Sequence, residues 1–249
     1  VTDLGIPKAP RHHAAATPST ELIAHDSDLD DRLLASLLYE KSGQPFATLL
    51  TMCKSKTDGQ RRELLARLMA ARGRHDAWPL AFEGAAPFDF EVLVDFGTYR
   101  DIGRHRKSLQ QQQILTTAHG FAVPPLMESA GLSGEYSEVL TKAAALQQLV
   151  SDRFPDAAGY VTPFAFLQRI RIQFDPRQTA YFIELRSGPE GHFSYRQVAL
   201  DMFAHMKRVS PLFAEFIRVK EGGAFLGRLD SEMTADERRQ RRMQEAGDS

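Results

Sequence analysis

Cysteine is nearly absent: the 249 residues hold one, Cys53. An internal disulfide, a cysteine-rich zinc site and a Cys-x-x-Cys redox centre are therefore excluded, and a buried structural thiol is the expected role of Cys53. An excess of one charge is also lacking, with 31 Lys and Arg against 32 Asp and Glu, so nucleic acid would have to be met by a local patch and not by a global field. Long apolar runs are missing as well. Nothing approaches the roughly 20 residues that cross a bilayer, and the first residues lack the basic-then-apolar pattern of a secretory signal. A cytoplasmic protein without a membrane partner is expected. The first residue is Val1 and not Met, as in a fragment, a processed chain or a non-ATG start with upstream residues missing. What is present, 43% hydrophobic and 25% charged residues, is the profile of a folded domain.

Residues 7–19 are rich in Pro, Ala, Thr and His without apolar periodicity, so residues 1–27 read as a flexible arm or linker. Leu33, Leu34, Leu37 and Leu38 then recur at helical spacing after an Asp-rich start, with Gly43 as a stop. Further helices are expected over residues 45–53, 59–72, 135–154 and 192–208. In the third of the N-terminal helices, Arg61, Arg62, Arg67 and Arg72 read as a solvated face. Residues 88–96 alternate and then turn continuously apolar, as in a strand closed by Gly97. Residues 164–174 form a clearer strand, with Ile170, Ile172 and Phe174 on one face and Arg169, Arg171 and Gln173 on the other. Asp175-Pro176 supplies an N-cap and a proline at the first helical position, opening a helix that Ser187-Gly188-Pro189 ends. Few strands among many helices, without βαβ alternation, predict an α+β fold in which helices flank a central antiparallel or mixed sheet. One domain is expected over residues 28–228, followed by a charged tail over 229–249.

The densest chemistry lies in Arg100-Asp-Ile-Gly-Arg104-His105-Arg106-Lys107, four cations and a histidine in eight residues. On a helix Arg100 and Arg104 would share a face while Arg106 points elsewhere, so the group can grip a polyanion from more than one side. The plainer alternative is a basic helix end that complements the dipole. Arg177 and Arg186 are nine residues apart, about two and a half turns, and emerge on opposite faces of their helix. Two surface salt bridges are the plainer alternative there. No metal site is expected.

Arg104-His105-Arg106 after a strand, the strand over 164–174, the helix start Asp175-Pro-Arg177, Leu185-Arg186 nine residues on and Gly191-His-Phe-Ser-Tyr-Arg196-Gln together resemble the flavin-dependent thymidylate synthases. The likeness runs without a gap over residues 163–196 and more weakly over 82–216. It implies FAD as cofactor, methylenetetrahydrofolate and NADPH as co-substrates, and a pyrimidine nucleotide such as deoxyuridylate as substrate, with dTMP as product. Position by position, it places Arg104, His105, Arg106, Asp175, Arg177 and Tyr181 against the flavin. Asp101, Arg104, Gln112 and Arg186 fall beside the nucleotide, and Arg186 stands where the family stabilises negative charge during C5 activation, as a planar cation can. The family builds its sites in tetramers, so a homo-oligomer or a second domain of the same kind is implied as partner.

The departures from the family pattern are specific. Ile114 stands in place of a serine, Gln112 in place of a glutamate, Thr116 and Gly159 in place of arginines, and Asp101 in place of a common glutamine. Anion-binding capacity is thus lost on the nucleotide side while most of the flavin side remains. Two readings follow from the resemblance: a divergent methylating flavoprotein, or a non-catalytic domain that supports an active copy. A divergent domain behind a linker-like arm also matches the second half of a tandem protein. An RNA- or DNA-binding module is disfavoured, because neither Arg100–Lys107 nor the Arg238–Arg242 tail has interleaved aromatics.

Overall fold

The computed structural model describes residues 12–220, 232–237 and 239–240. The chain divides into two compact units, one formed by Val1–Glu21 with Phe90–Gln173 and the other by Leu22–Asp89 with Phe174–Ser249. The fold is α+β, with helices in the majority and sheets of mixed pairing.

The first unit is organised by strands β1 (His12–Ala15), β2 (Ser19–Ala24), β3 (Phe88–Asp95), β4 (Leu109–Gln112), β5 (His119–Phe121) and β6 (Leu167–Phe174). β2, β3, β6 and β4 form a four-stranded sheet in that order, and β1 pairs in parallel with β5. β4 runs antiparallel to β6, with Gln110 opposite Ile172 and Gln112 opposite Ile170. As the alternation predicts, Ile170, Ile172 and Phe174 are buried, while Arg171 is exposed. The segment read as a flexible arm instead supplies β1 and β2. Its side chains hold no apolar pattern, and its order comes from backbone pairing, including Ala16 N–H to the Phe121 carbonyl at 2.8 Å.

Three helices belong to this unit: α4 (Phe96–Ile102), α5 (Pro125–Ser129) and α6 (Ser133–Arg153). α6 matches the helix expected over 135–154. It packs Leu140 and Ala144 against Phe121 and Phe166, whose rings meet edge-on at 5.7 Å. Gly97, expected to close a strand in a turn, lies inside α4. Asp95 caps that helix through Thr98 N–H at 2.9 Å, and a Cβ on Gly97 would sit 3.0 Å from the Asp95 carboxylate, so glycine leaves room for the cap.

In the second unit, α1 (Leu29–Tyr39), α2 (Phe46–Lys54) and α3 (Asp58–Met69) match the three helices read from the sequence. α7 (Pro176–Arg186), α8 (Phe193–Val209) and α9 (Pro211–Ala214) follow β6. Their core centres on Leu33, Leu34, Leu65, Phe82, Phe182 and Phe213, all nearly or fully buried. Thr57 and Gln60 close a reciprocal capping box at the start of α3. Two of the arginines expected on a solvated face are drawn inward. Arg61 pairs with Asp31 at 3.0 Å, and Arg72, 8% exposed, pairs with Glu184 at 2.8 Å while lying 4.1 Å over Trp78. Burial of their long stems beside a carboxylate explains the difference. Cys53 is fully buried, and burial pushes its thiol pKa up, which suits the structural role expected of it. In the C-terminal tail, residues 232–237 are helical and exposed, while Arg238, Arg241 and Arg242 lie outside the described residues. Among the described residues, no helix is long and apolar enough to cross a membrane.

Candidate functional site

The functional residues fall in two sets, one in each unit. In the first unit, β3 leads directly into α4, which stops at Gly103. Gly103 N–H donates to the Tyr99 carbonyl at 2.6 Å, and a Cβ on Gly103 would lie 3.2 Å from that same oxygen, a close approach that favours glycine. The helix therefore ends before Arg104, and Arg104, His105 and Arg106 occupy a turn. This revises the expectation that Arg100 and Arg104 share a helical face. The turn is pinned from below. Ser108 Oγ donates to the His105 carbonyl at 2.6 Å, the Gln110 amide donates to it at 3.1 Å, and the His105 ring is buried. Arg104 and Arg106 point outward from this fixed base.

Asp101, which the resemblance puts beside a nucleotide, pairs with Arg104 at 3.3 Å. Gln112 turns its amide to donate to the Tyr99 hydroxyl, whose pKa is raised by burial against the opposing effect of that bond. The following segment carries Ile114, 85% exposed, and Thr116, whose hydroxyl accepts from Ala118 N–H at 3.2 Å. Gly159 lies beside Leu115, and its neighbour Tyr160 is 92% exposed. The edge on which the resemblance puts a serine and two arginines is therefore largely apolar at its surface.

In the second unit, the Asp175 carboxylate accepts from Gln178 N–H at 2.7 Å and caps α7, with Pro176 at the first position, as the sequence predicts. Arg177 is held within the unit. Its Nε donates to the Trp78 carbonyl at 2.8 Å and its Nη1 to Glu83 at 2.5 Å. These two bonds take two of the five guanidinium N–H donors and fix the plane of the group. Tyr181 is half exposed on the same helix.

Arg186 is the last residue of α7, and its guanidinium lies 5.0 Å over the ring of Tyr195 in α8. The approach depends on Gly191, where a Cβ would fall 2.7 Å from the Tyr195 ring. Ser187 continues the backbone by donating to the Ile183 carbonyl, and its own carbonyl accepts from Arg196 at 3.0 Å. The helix end carrying Arg186 is thus fixed by both α7 and α8. Glu83, Trp78 and Tyr99 were not reached by sequence reasoning, and Tyr195 entered it only as part of the motif over residues 191–197, without a role of its own. Glu83 and Trp78 are more than ninety residues from Arg177 along the chain, and no local pattern links them. Tyr195 had a signal in the glycine four residues before it, at a helix entry. Among the described residues, no three of His, Cys, Asp and Glu gather as a metal site.

The family model described as thymidylate synthase complementing protein matches residues 21–212. The chain belongs to this family. Curated relatives include a UPF0159 protein of Chlamydia muridarum, 32% identical over 230 residues, and one of Thermoplasma acidophilum, 31% identical over 222 residues. These alignments cover 90% and 85% of this chain but 43% of each relative, so the chain spans less than half the length of the relatives it matches. Among solved structures, the UMP/dUMP methylase PolB from Streptomyces cacaoi, bound with 5-Br dUMP, has a similar fold. The TM-score is 0.63 at 18% identity, with 80% of this chain and 94% of that one covered.

Proposed function

We propose that the chain is a flavoprotein that methylates a pyrimidine nucleotide at C5, taking the carbon from methylenetetrahydrofolate and reducing equivalents from NADPH, and working as a homo-oligomer. Deoxyuridylate is the first substrate to try, with dTMP as the product, and a uridylate relative the second. The observation that carries this reading is the placement of Arg186, fixed over Tyr195 at the junction of α7 and α8, inside a match to the family that covers both sets of residues.

The turn bearing Arg104 and Arg106 fits an anionic cofactor, since two exposed cations project from a backbone held rigid by Ser108 and Gln110. FAD is favoured over FMN, because its additional phosphate gives those arginines a second anionic contact. When bound, the flavin supplies the hydride chemistry. Arg186 presents a cation that stays protonated and stabilises negative charge building on the pyrimidine as C5 becomes nucleophilic. Tyr195 keeps that cation oriented, and Arg104 tempers Asp101 so that an approaching phosphate meets less repulsion. No cysteine nucleophile is required, in keeping with the burial of Cys53.

A second reading, a non-catalytic domain that supports an active copy, is favoured by one observation: Arg177 already gives two of its donors to Glu83 and Trp78 within the unit. Flavin fluorescence titration, paired with tritium release from C5-labelled deoxyuridylate or uridylate in the presence of both co-substrates, separates the two. The leading reading expects FAD binding and measurable release, with Arg186→Ala abolishing release while FAD remains bound. Bound FAD without release from either nucleotide would leave the non-catalytic reading, and failure to bind FAD even at millimolar levels would remove the flavoprotein reading.

A further inference from the structure

We propose that a recess at the end of α3 binds a small monocarboxylate with an apolar body of roughly benzene size, on residues that the proposed function does not use. The recess lies within the second unit, has a volume of about 190 Å³ and is walled by Met69, Arg72, Glu215, Phe216 and Arg218. Met69 and Arg72 come from the last turn of α3 and the residues after it, and the other three follow α9. An apolar cavity of about 150 Å³ is enough to take up benzene, so the volume here suits one ring or branched chain carrying a carboxylate. Met69, 6% exposed, and Phe216, half-buried, supply the apolar wall for that body.

The charge around the recess favours an anion. Glu215 is already taken, since Arg62 grips it through Nε at 2.8 Å and Nη2 at 2.6 Å. Glu184, from α7, accepts from Arg72 Nη2 at 2.8 Å and from the backbone N–H of Arg218 at 3.1 Å. Three guanidiniums thus meet two carboxylates, and the one left over is that of Arg218. Its Nη1 donates to the Gly73 carbonyl at 2.7 Å and its Nη2 to the Arg72 carbonyl at 3.0 Å, without a carboxylate partner among the described residues. Two carbonyls fix the place of this cation and leave its charge uncancelled. Arg72 adds donor capacity: its side chain is 8% exposed, yet its Nε has no hydrogen-bond partner. A buried N–H without an acceptor is uncommon in a folded protein and points to an acceptor from outside the chain. A carboxylate matches the planar fork of a guanidinium, and a single negative charge brings the group to neutrality. The proposal stands on these residues and does not rest on nucleotide chemistry.

Trp78, the only tryptophan in the chain, reports on this place, because the Arg72 guanidinium lies 4.1 Å over its ring. Titration of the full chain with benzoate at constant ionic strength should change the tryptophan fluorescence saturably in the millimolar range. Benzamide, the neutral isostere, and inorganic phosphate, which lacks the apolar body, should each bind at least about tenfold more weakly. Arg218→Gln should weaken benzoate about tenfold with an unchanged far-ultraviolet spectrum, and Phe216→Ala should weaken it about threefold while leaving phosphate unaffected. The comparison of benzoate with benzamide uses the wild-type chain and decides the matter even where a variant does not fold. No saturable response to benzoate, an equal response to benzamide, or undiminished benzoate binding by folded Arg218→Gln overturns the proposal. Phosphate binding as tight as benzoate overturns the class of ligand.

Discussion

At Asp30, burial and hydrogen bonding pull in opposite directions. Burial is the larger effect and raises the carboxyl pKa from 3.8, while the Ser210 hydroxyl and the backbone N–H groups of Leu212 and Phe213 at the start of α9 act to lower it. The folded state therefore holds this proton more tightly than the unfolded chain. Stability from that difference is full below pH 3.8 and is lost as pH rises through the higher folded-state pKa. Asp28 has the opposite sign, since Lys54 at 2.6 Å holds its pKa below the usual value, so its contribution is lost as pH falls. Asp30→Asn removes only the first dependence. Its melting temperature should gain on the wild type as pH rises above 3.8. Thermal unfolding at a series of pH values checks this, and parallel curves for the two proteins would refute it. These residue-level balances were hidden in the sequence because the partners come from distant segments: Ser210 is 180 residues from Asp30. The same holds for Arg61 and Arg72, whose helical spacing indicates a solvated face while their carboxylate partners lie on other helices.

Among the elements, those with strong local signals were legible. Asp175 and Pro176 mark the start of α7, the alternation of Ile170, Ile172 and Phe174 marks β6, and the leucine pattern marks α1. β4 and β5 were missed because each is only three or four residues long and β4 is Leu-Gln-Gln-Gln, with no apolar alternation to reveal it. Its order is imposed by pairing with β6, a non-local cause. The junction of α7 and α8 lies between these cases: both helices are evident in sequence, but the contact of Arg186 with Tyr195 is not. Gly191→Ala tests that junction. The added methyl would overlap the Tyr195 ring at 2.7 Å, forcing the ring aside at a cost of about 1–3 kcal/mol and loosening Arg186. On the proposed function, turnover should fall more steeply than FAD binding. Equal losses in both would show that the glycine serves stability alone.

For the molecule as a whole, the proposed function puts substrate choice where the family pattern and this chain's own residues part. Ile114, Thr116 and Gly159 stand where the resemblance implies a serine and two arginines, and Ile114 is exposed without a polar atom to offer. Each lost charged hydrogen bond typically weakens binding by about 1.5–3 kcal/mol. Two such losses predict deoxyuridylate binding by this chain alone roughly two to four orders of magnitude weaker than with both arginines present. Gly159 is the position at which the loss can be reversed. A Cβ there meets only the Leu115 Cβ at an ordinary 3.8 Å, and no positive φ stands against a larger residue. Gly159→Arg should consequently fold with stability within about 0.5 kcal/mol of wild type and bind deoxyuridylate at least about tenfold more tightly. Equilibrium dialysis with labelled nucleotide, alongside thermal unfolding, measures both quantities. Tight binding by the wild-type chain would show that other groups already supply the anion contacts, with Lys107 and Tyr160 the first to examine. A folded Gly159→Arg protein with unchanged affinity would place the nucleotide phosphate away from this edge, and the apolar exposure of Ile114 and Tyr160 would then mark a surface for something other than the substrate.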